Sequence, residues 1–229
     1  MKKITVIVPV FNEIEYIEEC LNRVYKTEYD KQVIVVDNRS TDGTREKLLE
    51  LRDKMGFLLL FQDEMQGKGV AVKTAQSHIS GDAVIIQDGD LEYDPNDYKK
   101  VLEPILRGQE RIVYGSRNLD KNTKRGNFVF YWGGRMISLI ASILYGTRLT
   151  DINTCYKGFD AELFKSIQLT DSKFDFCEEI TAKCLMRGEK IKEVPISYYP
   201  RKVIEGKKLK FRDGFRSIRT LVKYRFSKN

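Results

Sequence analysis

Histidine is almost absent: His78 stands alone in a chain of 229 residues. A single imidazole cannot build a His-based metal centre or a usual Ser-His-Asp triad, and His78 itself reads as a helix-surface residue. Cysteine is also scarce. Cys20, Cys155, Cys177 and Cys184 show no C-x-x-C spacing, which argues against a zinc site and for reduced thiols in a cytosolic protein. No apolar run reaches the roughly 20 residues that a membrane-crossing helix needs; the longest, Met136 to Tyr145, is too short. The opening Met1-Lys2-Lys3-Ile4 runs into a strand-like segment without the apolar stretch of a signal peptide. There is no G-x-G-x-x-G after the first strand-like run and no Walker lysine motif, so NAD and ATPase readings lose ground. Internal repeats and low-complexity linkers are missing too.

What is present is a globular composition, 41% hydrophobic and 32% charged, at a length that fits one large domain or one domain with an appendage. The formal charge is +7, unevenly spread. Residues 1–100 carry 14 Lys/Arg against 19 Asp/Glu, and residues 101–229 carry 26 against 14. One half is suited to a metal and the other to anions, whether a phosphorylated ligand, an acidic membrane surface or nucleic acid.

Short apolar or β-branched runs at Ile4–Val10, Gln32–Asp37, Phe57–Gln62, Ala83–Gln87 and Arg111–Gly115 alternate with helical stretches near Glu13–Tyr25, Asp42–Lys54, Gly67–Ile79 and Pro95–Leu106. Asp42 and Asp94 resemble N-caps, the second followed by proline at the first helical position. Such alternation predicts an α/β fold with a mostly parallel central sheet and helices on both faces. The second half is less regular: an aromatic, apolar stretch Phe128–Tyr145, a helix over Phe174–Arg187 and a strand over Ile191–Tyr199. Its basic tail places Phe211, Phe215, Ile218 and Val222 on one helical face. That face suits either a membrane interface or the protein's own core.

Four loops then share one rim, because the carboxyl ends of parallel strands collect ligands. The first carries Phe11 and Glu13, the second Asp37 to Thr44. The third is Gly67-Lys68-Gly69, whose free N–H groups at a helix start favour an anion. The fourth is Asp88-Gly89-Asp90, two carboxylates able to hold a hard divalent cation and, through it, a diphosphate. As an isolated tripeptide, D-x-D is also a common solvated turn; its company on the rim gives it weight.

The segments Val8-Pro9-Val10-Phe11-Asn12-Glu13, Val36-Asp37-Asn38-Arg39-Ser40-Thr41-Asp42-Gly43-Thr44 and Gln87-Asp88-Gly89-Asp90-Leu91-Glu92-Tyr93-Asp94-Pro95 follow in order. Gly115-Ser116-Arg117, Thr150-Asp151-Ile152-Asn153-Thr154-Cys155-Tyr156-Lys157 and Glu193-Val194-Pro195-Ile196-Ser197-Tyr198-Tyr199-Pro200-Arg201 complete the set. Together they resemble the family 2 glycosyltransferases of GT-A fold, and within them the polyprenyl-phosphate sugar transferases of the dolichyl-phosphate mannose synthase type. The resemblance implies a catalytic domain over residues 1–202, with a nucleotide-sugar half (1–118) and an acceptor half (119–202), and a basic, membrane-surface helical segment over 203–229.

By the same resemblance, Pro9, Phe11, Glu13, Val36, Asn38, Lys68, Asp88, Gly89 and Asp90 bind the nucleotide sugar. Asp88, Asp90 and Glu92 hold Mg²⁺ or Mn²⁺, Asp90 and Arg117 serve catalysis, and Arg117, Arg201 and Lys207 bind the acceptor phosphate. Two departures from the family pattern matter. Phe11 stands where tyrosine is usual, so a ring can stack but the phenolic hydrogen bond is gone. Asn38 stands where a second aspartate is common; an amide offers a donor as well as an acceptor, which matches uracil better than guanine. The expectation is an inverting, metal-dependent transfer from a UDP-sugar to a polyprenyl phosphate at the cytosolic membrane face, with peripheral attachment and no nucleic-acid partner. A saccharide acceptor is the nearest alternative, and a non-catalytic nucleic-acid-binding protein is the alternative of another class. A bare charge excess supports the last, but it explains neither D-x-D nor the rim loops.

Overall fold

The computed structural model describes residues 2–120, 128–170, 175–201 and 211–227, excluding the side chains of 128–130 and 211–213. Seven strands form one sheet in the order β3-β2-β1-β4-β6-β5-β7. The first four are β1 (Ile4–Val10), β2 (Lys31–Asp37), β3 (Leu58–Phe61) and β4 (Ala83–Ile86). They pair in parallel, Ile7 of β1 lying between Ile34 and Ile86. β1 and β4 are apolar along almost their whole length and buried on both faces, as parallel strands sandwiched between helices must be. The intervening helices are α1 (Ile17–Lys26), α2 (Thr44–Met55) and α3 (Lys68–Gln76). α1 turns Ile17, Cys20, Leu21 and Val24 inward, a spacing of three, one and three residues.

After a 3₁₀ turn at Pro95–Asp97 come α4 (Tyr98–Leu106), β5 (Ile112–Ser116), α5 (Phe128–Tyr145), β6 (Lys157–Asp160), α6 (Ala161–Ser166), α7 (Phe176–Met186), β7 (Lys192–Pro195) and α8 (Phe211–Phe226). β6 runs antiparallel to both β4 and β5, while β7 is parallel to β5. The carboxyl ends of β1, β2, β4, β5 and β7 therefore lie on one edge. The sheet is mostly parallel, as the alternation predicts, but β6 and α6 have no counterpart in the sequence reading.

Two local expectations are refined. Asp94 accepts from Asn96 N at 3.0 Å and caps the turn that proline opens. Asp42 is not the cap of α2, whose N-cap is Gly43 at φ 95°. Instead Asp42 accepts from Thr44 N at 3.1 Å and Ile14 N at 3.2 Å, tying the β2 loop to the β1 loop. His78 is exposed just past α3, and the four cysteines form no disulfide.

α8 bears on both readings of its apolar face. Ser217 and Leu221 point inward, and Leu221 joins Ile137 and Ala141 of α5 in a small second core. Tyr145 donates its hydroxyl to Leu221 O at 2.8 Å. Of the apolar stripe expected from spacing, Phe215 is 72% exposed, Val222 is exposed and Ile218 half-buried, and Phe226, one further turn along, is 73% exposed; the Phe211 side chain lies outside the described residues. Among the described residues no helix is long and apolar enough to cross a membrane.

Candidate active site

β4 delivers Asp88-Gly89-Asp90 to the rim from a rigid base. Gln87, fully buried, accepts from Tyr98 OH at 3.0 Å and from Tyr156 OH at 2.7 Å. Its own amide donates to Asp88 O at 3.0 Å. At Gly89 an added Cβ would lie 3.3 Å from Val10 Cγ2 and 3.5 Å from Ile17 Cδ1, so any side chain there crowds the β1 end. Asp90 is 7% exposed. Burial first, then repulsion from Asp88, push its carboxyl up to about 7, against the pull of Arg201. A buried carboxylate beside a second one is a place where positive charge is favoured.

That charge comes from two side chains of the protein. Lys68, the first residue of α3, sets Nζ 2.6 Å from Asp88 Oδ1. Burial opposes its charge, yet the Asp88 carboxylate holds the ammonium above its usual range. Arg201, in the segment after β7, sets Nη2 2.6 Å from Asp90 Oδ2. The same guanidinium forks onto Glu13, at 2.9 and 3.0 Å. Glu13, Lys68, Asp88, Asp90 and Arg201 thus converge although they are spread over nearly 190 positions of sequence. Phe11 and Pro9 lie half-buried beside them at the β1 end.

Asn38 serves as a loop fastener. Its Oδ1 accepts from Gln66 N at 2.9 Å and Gly67 N at 3.2 Å, which fixes the approach to α3 and orients the amide with nitrogen away from that loop. The accepting half of the amide is consumed, leaving the NH₂ donor. Val36 is completely buried in the sheet core and reaches no open surface.

Glu92 is committed elsewhere. Its carboxylate accepts from Tyr198 OH at 2.9 Å and Arg201 N at 2.8 Å, pinning the segment that carries Arg201. Among the described residues no group of three His, Cys, Asp or Glu side chains is arranged to hold a metal ion by itself. The Asp88–Asp90 pair still fits a small hard cation, which commonly takes one or two carboxylates and completes its shell with phosphate oxygens and water.

Arg117, at the end of β5, forks onto Asp151 at 2.7 and 2.8 Å, and Asp151 Oδ2 also accepts its backbone N–H at 3.0 Å. The guanidinium lies 5.1 Å from the centre of the Tyr198 ring. Glu193 in turn accepts from Thr150 N and Asp151 N. Three further carboxylates of the second half are engaged as well: Glu178 by Asn153 at 2.8 Å, Glu179 by Lys183 at 2.6 Å, and Asp175 by Thr220 at 3.0 Å. Lys207 lies outside the described residues. Glu193 and Tyr198 stand in the quoted segment Glu193–Arg201, but nothing local there announces that Glu193 holds the Thr150–Asp151 backbone or that Tyr198 meets Glu92.

A family model, Glycosyl transferase family 2, matches residues 5–167. The chain belongs to that family. Glycosyltransferase AglJ of Haloferax volcanii is 33% identical over 86% of this chain and 63% of its own length. Dolichol-phosphate mannosyltransferase of Pyrococcus furiosus is 31% identical over 86% of this chain and 56% of its own. This family member thus spans about three fifths of those relatives. Undecaprenyl-phosphate mannosyltransferase of Micrococcus luteus is 27% identical over 90% of this chain and 87% of its own. In fold, glucosyl-3-phosphoglycerate synthase from Mycobacterium tuberculosis, crystallised with Mn²⁺, UDP and phosphoglyceric acid, superposes with a TM-score of 0.74 at 17% identity, covering 100% of this chain and 80% of that one.

Proposed function

We propose that this glycosyltransferase moves a sugar from a UDP-sugar to a polyprenyl phosphate, with a divalent cation and inversion at the anomeric carbon. The observation that carries the reading is the buried Asp88–Asp90 pair at the carboxyl end of β4, flanked by Lys68 and Arg201. When bound there, Mg²⁺ or Mn²⁺ neutralises charge developing on the departing nucleoside diphosphate. Phe11 stacks against the base, and Glu13 with Pro9 borders the ribose. The free NH₂ of Asn38 donates to a uracil carbonyl; guanine would present N–H donors to it instead.

The acceptor half supports a phosphate nucleophile. A phosphate monoester has a second pKa of about 6 and is largely ionised at neutral pH, so it needs positioning rather than a general base. A sugar hydroxyl needs a carboxylate within reach, and Asp151, Asp175, Glu178 and Glu179 are all engaged in bonds of their own. Relatives named for dolichol phosphate and undecaprenyl phosphate agree. Direct attack by the phosphate oxygen opposite the leaving diphosphate inverts the configuration. Arg117, fixed by Asp151, and Lys207 supply acceptor-side charge; Arg201, expected beside them, rests on Glu13 and Asp90 at the donor side.

The exposed stripes of α5 and α8 support peripheral attachment at the cytosolic face of a membrane. Trp132, Met136, Leu139 and Ile143 recur at helical spacing on α5, 53–71% exposed, and Phe215, Val222 and Phe226 do so on α8 beside Arg219, Lys223 and Arg225. The decisive assay offers a panel of nucleotide sugars with Mn²⁺ and a short-chain polyprenyl phosphate. A glycolipid extractable into organic solvent, lost on chelation, is the expected product. A water-soluble product made from a saccharide instead overturns the acceptor assignment.

A further inference from the structure

Both aspartates of the D-x-D turn are held by cations of the chain itself. Lys68 Nζ pairs with Asp88 Oδ1, and Arg201 Nη2 with Asp90 Oδ2, each at 2.6 Å. Neither cation is sealed in, the Lys68 side chain being 29% exposed and that of Arg201 24%. Each is long enough to change rotamer while its backbone stays fixed, Lys68 beside the Asn38-anchored Gly67 and Arg201 through its N–H to Glu92. Three further facts set the energetics. Glu13 adds a second carboxylate to the same guanidinium, while Glu92 holds the Arg201 backbone N–H. An ion arriving alone must displace Lys68 from Asp88 and Arg201 from Asp90, leaving Lys68 without that carboxylate and Arg201 with Glu13 alone. An ion arriving with a diphosphate brings oxygens that both a lysine and a forked arginine bind well.

Resting on the nucleotide-sugar reading, we propose that Lys68 and Arg201 are exchangeable counter-ions: they occupy Asp88 and Asp90 before the donor binds, and turn to its diphosphate when the metal takes the carboxylates. Metal and nucleotide then bind with positive coupling, each making the other's site available. A free ion gains little foothold.

The test measures Mn²⁺ binding to the purified chain by paramagnetic resonance of the free ion, with and without UDP. The wild type is expected to bind Mn²⁺ weakly alone and more tightly with UDP. In Arg201→Gln and in Lys68→Met, Mn²⁺ alone should bind about tenfold tighter, while the gain from UDP shrinks by a similar factor. A folding defect would weaken both bindings, so the opposite signs identify exchange. Arg201→Lys, which keeps the charge, should stay nearer the wild type. Arg23→Gln, which removes a cation paired with Glu19 rather than with the turn, should shift Mn²⁺ affinity by no more than about twofold. If both test variants bind Mn²⁺ alone no better than the wild type while UDP binding persists, exchange is overturned and the nucleotide-sugar reading stands. If the wild type binds neither Mn²⁺ nor UDP and Asp90→Asn changes nothing, that reading falls and exchange with it.

Discussion

Asp90 shows what one carboxylate costs and supplies. It is 7% exposed, and Asp88 raises the cost of its charge further. Asp90→Asn keeps the volume and removes the charge. Transfer should fall by at least about 100-fold in a steady-state assay. The thermal midpoint should hold or rise, because a buried carboxylate that repels its neighbour is gone. A loss of activity tracking a loss of folding would contradict this. Asn38 permits a second one-atom experiment. In Asn38→Asp one oxygen can still accept from Gln66 and Gly67, so the loop stays tied, while the remaining NH₂ donor becomes an acceptor. UDP should bind about tenfold more weakly and GDP should gain; calorimetry with both nucleotides reads the ratio, and unchanged selectivity would remove Asn38 from the base pocket. The identity of these residues was legible in the sequence, since residue type and strand-end position announce them. Their partners were not. That Glu92 holds Tyr198 and Arg201, or that Arg201 reaches Glu13, depends on contacts across more than 100 residues, which no local pattern encodes.

At the level of elements, the parallel strands were legible because burial on both faces forces continuous apolar runs, and β1 and β4 have them. β6 was not, because Lys157-Gly158-Phe159-Asp160 carries a single large apolar side chain. Its lysine is fully buried all the same. Nζ donates to the carbonyls of Ile152 and Thr154 and lies 4.7 Å from the Tyr114 ring centre, so the charge is satisfied without a carboxylate. Gly158 is equally specific. A Cβ there would meet Val101 Cγ1 at 2.6 Å and Ile105 Cδ1 at 3.0 Å, so α4 lies directly on the strand. Gly158→Ala should therefore destabilise the protein by about 1–3 kcal/mol through overpacking, measured as a lowered midpoint in urea. A neutral result would mean that α4 can move aside. α8 teaches the complementary lesson: periodicity found its apolar face, but the direction in which that face points was decided by packing of Ser217 and Leu221 on α5 and α7.

Across the whole molecule, the acidic first half and basic second half suit the two tasks of the proposed function, holding the donor and meeting a charged surface. The D-x-D rim belongs to the first. The outward stripes of α5 and α8 belong to the second, with Tyr145 and Arg225 joining the two helices through Leu221 O and Leu144 O at 2.8 Å each. An apolar stripe bordered by arginine and lysine gains from both burial among acyl chains and attraction to anionic headgroups. Vesicles containing an acidic phospholipid should therefore sediment the wild type, and moderate salt should weaken this because the attraction is screened within about 10 Å. Replacing Leu139 and Ile143 together, or Phe215 and Phe226 together, with glutamine should cut vesicle binding by at least about tenfold, since each side chain is worth roughly 1.5–3 kcal/mol when buried. Those positions face solvent in the protein alone, so the thermal midpoint should change little. UDP binding, which the proposed function assigns to the rim residues and not to these positions, should persist in both variants. Transfer to a short, detergent-dispersed polyprenyl phosphate should persist as well, whereas transfer to the same lipid embedded in vesicles should fall with the vesicle affinity. Binding that ignores both pairs of substitutions would detach the helices from the membrane, and would leave the basic half to act on the acceptor phosphate alone.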